Sequence, residues 1–192
     1  GTVDALREGE GLRALPWKIF CTGQPFPVGD LTVHPFSVPH DAYEPVGFTI
    51  SCGAVRAAVV TDIGLPTTLV RQRLRDCHVV VLESNHDERL LQESSRPWSL
   101  KQRIMGRQGH LSNRRAAELL AEVATPALQQ VYLAHLSEEC NRADLAVAEA
   151  RRQLERVGCG HVRVEVGRPD AVAGPWSWTP RDCGAAALLP PR

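Results

Sequence analysis

The order of the hydrophobic patterns constrains the fold of this chain more than any other feature. Up to residue 61, short β-branched segments separated by turn residues are typical of antiparallel strands, and the segments are "WKIFC", "DLTVHPFSV", "VGFTI" and "AVRAAVVT". The segments "VGFTI" and "AVRAAVVT", separated by "SCGA", favour a hairpin. From Pro66 onward, short buried strands alternate with amphipathic helices, as in "HVVVLE", "NRRAAELLAEV", "QQVYLAHL" and "HVRVEV". The last helix is expected from about Arg142 to Val157, with Asn141 as its N-cap and Gly158 as its stop. This order predicts an α/β (α+β) sheet with helices over its outer face.

Length and composition predict one globular domain. The chain has 192 residues, of which 43% are hydrophobic and 23% charged, and it contains no apolar run long enough to span a bilayer. We therefore expect no membrane association and a single domain over residues 1–166. Residues 167–192 are rich in Pro, Gly and Ala without periodicity, which predicts a loosely ordered tail.

The cysteines and the first residues bear on the cellular compartment. The six cysteines are scattered and form no C-x-x-C pair, which favours a reducing cytoplasm over a disulfide framework. The opening segment "GTVDALREGEGLRAL" has no apolar core of the kind found in signal peptides. Because the chain begins with Gly1 rather than Met, it is also compatible with a fragment of a longer protein.

Four apolar runs each end in a residue capable of metal or acid–base chemistry. The runs are "FSVPH" ending in His40, "AAVVTD" in Asp62, "VVVLE" in Glu83 and "VYLAH" in His135. A single histidine or aspartate at such a place is usually structural, as a hydrogen-bonded or turn-forming residue. Four of them at the same topological position favour a shared site, because strand ends are where loops converge in layered α/β folds.

A basic segment, residues 96–115, is the second signal. It contains six cationic residues and no acid, although the whole chain has no net charge: Arg96, Lys101, Arg103, Arg107, Arg114 and Arg115. Such a segment can bind phosphate through arginine forks and a helix N-terminus near Ser112, or it can be a solvated helix face. The residues by themselves leave both interpretations open.

Five motifs carry a resemblance to a known family. They are "PHDAYEPVGFTI", "VVTDIG", "VLESNHDERLL", "RPWSLKQRIMGRQGHLSNRRAAELL" and "VYLAHLSEECN". In this order and spacing the chain resembles the C-terminal part of the YycJ (WalJ) group of metallo-β-lactamase-fold hydrolases, from about Thr2 to Val166. It is more distantly similar to ribonuclease Z. The resemblance implies the αββα sandwich of that fold.

The resemblance also implies roles for individual residues. His40, Asp62 and His135 match metal ligands, of which the aspartate bridges two metals. Glu83 and His110 match a glutamate–histidine pair that relays a proton. His86, in "ESNHD", belongs to the family signature and is a further catalytic candidate.

The implied chemistry is two-metal hydrolysis of a phosphodiester in nucleic acid, with zinc or manganese as the metal. The YycJ group consists of nucleases, notably DNA exonucleases, so DNA is expected in preference to RNA. In that interpretation the basic segment holds the substrate phosphates through Arg103, Arg107, Arg114 and Arg115.

One element of the family pattern is absent from this sequence. The motif H-x-H-x-D-H, which supplies the other metal ligands, does not occur, and His34, His78 and His161 stand alone and are expected to be structural. The chain is then either part of a complete enzyme or a non-catalytic nucleic-acid-binding or assembly half-domain. A third alternative is an RNA-processing hydrolase of the same superfamily. Lack of the N-terminal half predicts an apolar sheet face covered by a partner or a second copy of the chain.

Overall fold

The computed structural model describes residues 18–168 and 170–177, which form one mixed sheet with helices on one face. The sheet has seven strands in chain order. They are β1 (Phe26–Val28), β2 (Leu31–Ser37), β3 (Val46–Cys52), β4 (Val55–Val60), β5 (Val79–Glu83), β6 (Gln130–Ala134) and β7 (Arg163–Val166).

Strand direction changes halfway through the sheet. Neighbours from β1 to β4 pair antiparallel and neighbours from β4 to β7 pair parallel. The predicted β3–β4 hairpin is confirmed, and its turn contains Gly53 with a φ of 56°, a conformation that glycine adopts without steric cost. As a result, β2, β4, β5 and β6 all run in the same direction and end at one edge of the sheet.

In the part of the chain that the structure describes, five helices follow the first four strands. They are α1 (Thr68–Leu74), α2 (Glu88–Glu93), α3 (Trp98–Met105), α4 (Asn113–Val123) and α5 (Ala143–Arg156). The side chains of Thr67, Asp87 and Ser112 cap α1, α2 and α4 by accepting a hydrogen bond from a backbone N–H of the first turn. Gly158, with a φ of 77°, follows the end of α5, as its position in the sequence predicts.

The core lies between one face of the sheet and the helices. The strand residues of this face are almost inaccessible, and they include Ala58, Val60, Val80, Leu82, Val131 and Leu133. Leu119 and Leu120 of α4 and Leu154 of α5 pack in the same cluster. The predicted layer of helices on one face of a sheet is therefore confirmed, as one helix layer and one sheet of an αββα sandwich.

The opposite face of the sheet is also apolar but less covered. Ile50, Val59 and Val81 point away from the helices, because strand side chains alternate between faces, and each is only half-buried. The segment after β7 crosses near this face, where the Tyr132 hydroxyl donates a hydrogen bond of 2.7 Å to the Gly174 carbonyl. The predicted tail thus begins with a contact to the sheet, and residues 178–192 lie outside the described residues.

Two local predictions were wrong. The structure describes residues 18–21 of "WKIFC", and they do not form a strand. The first strand is instead the short Phe26–Val28, which pairs with β2 across the turn at Gly29 and Asp30. Asn141 does not cap α5, since Arg142 holds that position and the Asn141 side chain is committed elsewhere. Within residues 18–168 and 170–177, no helix combines the length and the apolar character needed to cross a bilayer.

Candidate metal centre

Four loops meet at the edge where the strands end. His40 follows β2, Asp62 follows β4, Glu83 is the last residue of β5 and His135 follows β6. Because these strands run in one direction, the sheet itself brings together residues that are up to 95 positions apart in the sequence. The convergence that the sequence predicts is therefore present in the structure.

The three predicted metal ligands lie close together. Nε2 of His40 is 3.7 Å from Oδ1 of Asp62, and Nδ1 of His135 is 3.6 Å from the same oxygen. Asp62 and His135 both have a φ of 56°, a left-handed conformation that costs a non-glycine residue about 1–3 kcal/mol. Imidazole nitrogens and carboxylate oxygens are donors that suit zinc and manganese, so these residue types fit a divalent ion. Among the described residues, the side chains close enough to hold one ion together are His40, Asp62 and His110 in one group and Glu83, His110 and His135 in another.

A backbone carbonyl orients the His40 ring. Nδ1 of His40 is 3.1 Å from the carbonyl oxygen of Gly109, so Nδ1 donates to that carbonyl while Nε2 faces Asp62. A metal-binding histidine usually donates its other ring N–H to an oxygen acceptor in this way. The His40 loop is fixed further by the Gly64 N–H, which donates to the Pro39 carbonyl at 2.9 Å.

Glu83 is the buried acid of the site. Its side chain is fully inaccessible, its Oε2 accepts from the Ile63 N–H at 2.8 Å, and its Oε1 lies 2.6 Å from His110 Nδ1 and 3.1 Å from His135 Nδ1. Burial opposes ionisation most strongly, but the hydrogen bonds from His110, His135 and Ile63 outweigh it and hold the pKa of Glu83 below its usual range. Glu83 is therefore an anion that two imidazoles share.

Glu83 acts on its neighbours in turn. The hydrogen bond to Glu83 raises the pKa of His135 above its usual value, and partial burial of the ring opposes this rise. The negative charges of Glu83 and Asp62 raise the pKa further. The His110 ring stands between His40 and His135, with ring centroids 5.0 Å and 5.1 Å apart, and 21% of its side chain is accessible. His110 is thus held by a carboxylate on one side and open to solvent on the other.

A cavity of about 390 Å³ lies beside these rings. Its wall combines His110 and His135 with charged and aliphatic side chains, among them Asp41, Arg96, Arg103 and Leu136. Arg96 pairs with Glu139 at 3.0 Å, and Arg103 pairs with Asp41. The accessible side of His110 therefore opens into a polar space large enough for part of a ligand.

His86 lies apart from this cluster. It is 2% exposed, its Nδ1 has no hydrogen-bond partner, and burial lowers its pKa to about 4, so that the ring is neutral near pH 7. It contributes to neither of the two groups of potential metal-binding side chains found among the described residues. It does share with His110 a second cavity, of about 530 Å³, so its catalytic role stays a prediction.

Acids from other parts of the chain compensate much of the basic segment. Arg114 pairs with Glu88 at 3.0 Å and with Glu118 at 2.8 Å. Arg103 pairs with Asp41. Arg115 contacts a backbone group instead, since it donates to the Gly64 carbonyl at 3.4 Å.

Two other members of the segment differ from these three. Arg107 is exposed and forms no ion pair with any residue that the structure describes. Lys101 is buried, and its Nζ donates to the carbonyls of Gln92 and Ser94 at the end of α2. The segment therefore presents less free positive charge than its sequence indicates, and Arg107 is its most available cation.

A buried polar network ties the site loops together, and the sequence analysis missed it. Ser84 Oγ donates to Asn113 Oδ1 at 2.6 Å, and the amides of Asn113 and Asn141 pair at 2.8 and 2.9 Å. Nδ2 of Asn141 also donates to the carbonyls of Ser84 and Asn85, and Asn85 donates to the His135 carbonyl at 2.9 Å. The available signal was an asparagine in each of three loops, in "ESN", "LSN" and "ECN".

The remaining histidines, for which the sequence predicts a structural role, each contact a backbone group away from the site. His34 contacts the Gly23 carbonyl at 3.0 Å, and His161 contacts the Leu128 carbonyl at 3.0 Å. His78 accepts from the Arg56 N–H at 3.2 Å.

Comparison with known proteins agrees with this geometry. Residues 1–136 match the model of the beta-lactamase superfamily domain. Over 142 residues the chain is 36% identical to exodeoxyribonuclease YycJ of Bacillus anthracis, a match that covers 74% of this chain and 54% of that protein. It is 32% identical to exodeoxyribonuclease WalJ of Streptococcus pneumoniae over the same share of this chain and 53% of that protein.

A solved structure supports the fold. Zn(2+)-bound PqqB from Methylobacterium extorquens superimposes with a TM-score of 0.57 at 17% identity, covering 86% of this chain and 59% of that one. The chain spans about half the length of the curated relatives that it matches. The metallo-β-lactamase fold implies the use of divalent metal ions. The comparisons confirm the similarity to YycJ and WalJ that the sequence predicts. Because the superfamily domain matches residues 1–136, the chain belongs to the beta-lactamase superfamily.

Proposed function

We propose that this chain carries part of the active site of a metal-dependent phosphodiesterase that cleaves nucleic acid, most closely a DNA exonuclease of the YycJ type. One observation carries the proposal: His40 and His135 lie 3.7 Å and 3.6 Å from the same carboxylate oxygen of Asp62, beside a buried glutamate–histidine pair. The names of the curated relatives support DNA as the substrate.

Each residue has a distinct task in the proposed reaction. His40, Asp62 and His135 hold the divalent ions, zinc or manganese, which when bound lower the pKa of water and stabilise negative charge on the phosphate. Glu83 accepts a hydrogen bond from Nδ1 of His110 and so holds that ring in place. The substrate lies in the cavity of about 390 Å³ that His110 lines. The other nitrogen of His110 then gives a proton to the leaving oxygen of the cleaved phosphodiester.

The proposed substrate contacts follow from the cations of residues 96–115, of which Arg96 and Arg103 line the cavity of about 390 Å³. Arg107 is available to a phosphate as it stands, whereas Arg103, Arg114 and Arg115 must give up contacts to Asp41, Glu88 and Gly64 before they bind one. Phosphate binding by these three side chains would therefore be weaker than their number indicates. We propose the cytoplasm as the compartment, because the five cysteines that the structure describes are all free thiols.

A second candidate is a nucleic-acid-binding or assembly module without catalysis. The specific observation in its favour is that the 192 residues contain no H-x-H-x-D-H motif, so His40, Asp62 and His135 are only part of a two-metal shell. In this alternative the other part of the site comes from a second chain or is not needed.

A cleavage assay on the 192-residue chain tests the proposal. A 5′-labelled single-stranded DNA and an RNA of the same sequence are incubated with manganese or zinc, with chelator as the metal-free arm. We expect metal-dependent cleavage that favours DNA and that falls about 100- to 10,000-fold in His110→Ala. His161→Ala, which removes a histidine far from the site, is the matched control and should cleave normally. Salt-sensitive binding without cleavage would instead support the module.

A further inference from the structure

Gly64 lies where two loops of the site cross. A Cβ on Gly64 would lie 2.5 Å from the backbone N of Gly109 and 2.6 Å from the carbonyl carbon and oxygen of Arg107. Nonbonded carbon atoms pack at about 3.5–4.0 Å, so no side chain fits between these two backbones. The absence of a side chain at Gly64 therefore lets the loop after β4 lie in direct contact with the loop that leads to His110.

The loop after β4 contains two groups of the candidate site. Oδ1 of Asp62 lies 3.7 Å from Nε2 of His40. The Ile63 N–H donates to Oε2 of the buried Glu83 at 2.8 Å. Asp62 and Ile63 directly precede Gly64 in the sequence. The place of the Gly64 backbone therefore determines where the Asp62 carboxylate lies and whether the Ile63 N–H reaches its acceptor.

Both polar backbone groups of Gly64 bind other loops at the same edge of the sheet. Its N–H donates to the Pro39 carbonyl at 2.9 Å, and its carbonyl accepts from Arg115 in the first turn of α4 at 3.4 Å. The loop after β2 is joined to the loop before α4 in turn, since the Asp41 N–H donates to the Gln108 carbonyl at 3.0 Å. The three loops are therefore in contact through their backbones, and a displacement of one displaces its neighbours.

A methyl group at Gly64 would have to displace one of the two crossing loops. The shortest contact, of 2.5 Å, must lengthen by about 1 Å to reach ordinary packing. The atoms that the methyl group meets are backbone atoms, which cannot rotate away as the end of a long side chain can. Either Asp62 or His110 then moves by a distance of that order.

We propose that Gly64 is a positioning residue of this site, whose missing side chain sets the separation between the Asp62 carboxylate and the His110 ring. Gly64 is not itself a reacting group and acts through these two residues. The consequence for cleavage rests on the proposed function, in which Asp62 holds an ion and His110 gives the proton. A misplacement of about 1 Å between reacting groups can slow a reaction about 100-fold.

The kinetic test compares cleavage of a 5′-labelled single-stranded DNA by the unaltered chain and by Gly64→Ala, with manganese present. Rates are expressed per folded chain, with the folded fraction measured by circular dichroism. We expect kcat and kcat/KM to fall together by about 100-fold, because the reacting groups are misplaced while the substrate contacts are kept. Gly160→Ala, whose Cβ would make an ordinary contact of 3.4 Å with Glu155, should react as the unaltered chain does. An unchanged kcat per folded chain in Gly64→Ala would overturn the proposal.

A second readout does not depend on cleavage. His110 Nδ1 and the Ile63 N–H both bind Glu83, so a displaced loop changes at least one of these hydrogen bonds. Proton NMR of the metal-free chain should therefore show a shifted resonance for at least one of the two protons in Gly64→Ala and for neither in Gly160→Ala. Two unshifted resonances in folded Gly64→Ala would contradict the positioning role. Shifted resonances, together with an unaltered chain that cleaves no DNA, would support this inference while overturning the proposed function.

Hydrogen exchange on the unaltered chain decides the case in which Gly64→Ala does not fold. The N–H groups of Asp41, Ile63 and Gly64 should exchange together, because loops that are bonded to one another open as one unit. A Gly64 N–H that exchanges as fast as an unprotected loop amide would overturn the proposal.

Discussion

Glu83 and His110 are joined by a hydrogen bond of 2.6 Å although 27 residues separate them in the sequence. The bond forms because β5 ends with Glu83 buried beneath the sheet edge and the loop before α4 places His110 above it. The same carboxylate contacts His135 at 3.1 Å, so one buried anion fixes two of the three imidazoles in the site.

This shared anion predicts a pH dependence of folding stability in the metal-free protein. The pKa of Glu83 is lowered from 4.5, so its stabilisation is present above about pH 4.5 and is lost as the pH falls through the folded value. The pKa of His135 is raised from 6.5, so its stabilisation is present below about pH 6.5 and is lost as the pH rises through the folded value.

The difference in unfolding free energy between the unaltered chain and Glu83→Gln should therefore be largest between about pH 4.5 and 6.5. Urea unfolding in chelator, repeated from pH 3 to pH 9, measures that difference. The subtraction removes most of the contribution of His86, whose pKa burial lowers to about 4. A difference that does not change with pH would contradict the shared-anion geometry.

Gly109 should tolerate no side chain. A Cβ at this position would overlap the carbonyl oxygens of Arg103 and Ile104, which are backbone atoms and cannot rotate away. We expect Gly109→Ala to lower the free energy of unfolding by about 3 kcal/mol or more, at the upper end of overpacking costs.

The matched control for this substitution is Gly160→Ala. Its Cβ would lie 3.4 Å from the Glu155 side chain, which is ordinary contact, so thermal unfolding should change little. If Gly109→Ala unfolds at the same temperature as the control, the loop before His110 does not lie as close to the end of α3 as the structure shows.

Asn141 should be a main support of the site loops. Its amide group bonds Asn113 and the carbonyls of Ser84 and Asn85, and Asn141→Ala would leave several of these buried groups without a partner. We expect a loss of about 2 kcal/mol or more in the free energy of unfolding. Gln153→Ala removes a buried amide whose Oε1 already lacks a partner, and it should cost less. Equal losses in the two variants would argue against the network.

Arg107 and Arg114 should differ in DNA binding if the proposed function holds. Arg107 is exposed without an ion pair among the described residues, whereas Arg114 is neutralised by Glu88 and Glu118. Arg107→Ala should weaken binding and lower the slope of log affinity against log salt by about 1, and Arg114→Ala should leave that slope nearly unchanged. Fluorescence anisotropy at several salt concentrations measures both. The opposite ranking would mean that Arg114 exchanges its acids for phosphate.

Sequence patterns predicted the main elements and the position of the site because both depend on local signals. Periodicity gives the helix Asn113–Val123 its limits, and apolar runs that end in His40, Asp62 and His135 indicate strand ends that meet at one edge. The short strand Phe26–Val28 was missed because three residues around a proline carry little periodicity.

Such local patterns do not predict contacts between polar residues that are far apart in the sequence. The acids that compensate Arg114 and Arg103 come from other segments, so the basic run overstated the positive surface. The pairing of Asn113 with Asn141 spans 28 residues and depends on how two loops fold over the sheet edge. Local sequence also cannot distinguish a histidine that donates a proton from one that holds an ion, since both use a carboxylate behind the ring.

The most direct test of the central claim is to locate the metal. Crystals of the chain grown with zinc or manganese, measured at the absorption edge of that metal, should give an anomalous difference peak about 2.0–2.2 Å from Nε2 of His40 and from a carboxylate oxygen of Asp62. A fully occupied metal elsewhere, with no peak between His40 and Asp62, would contradict the account.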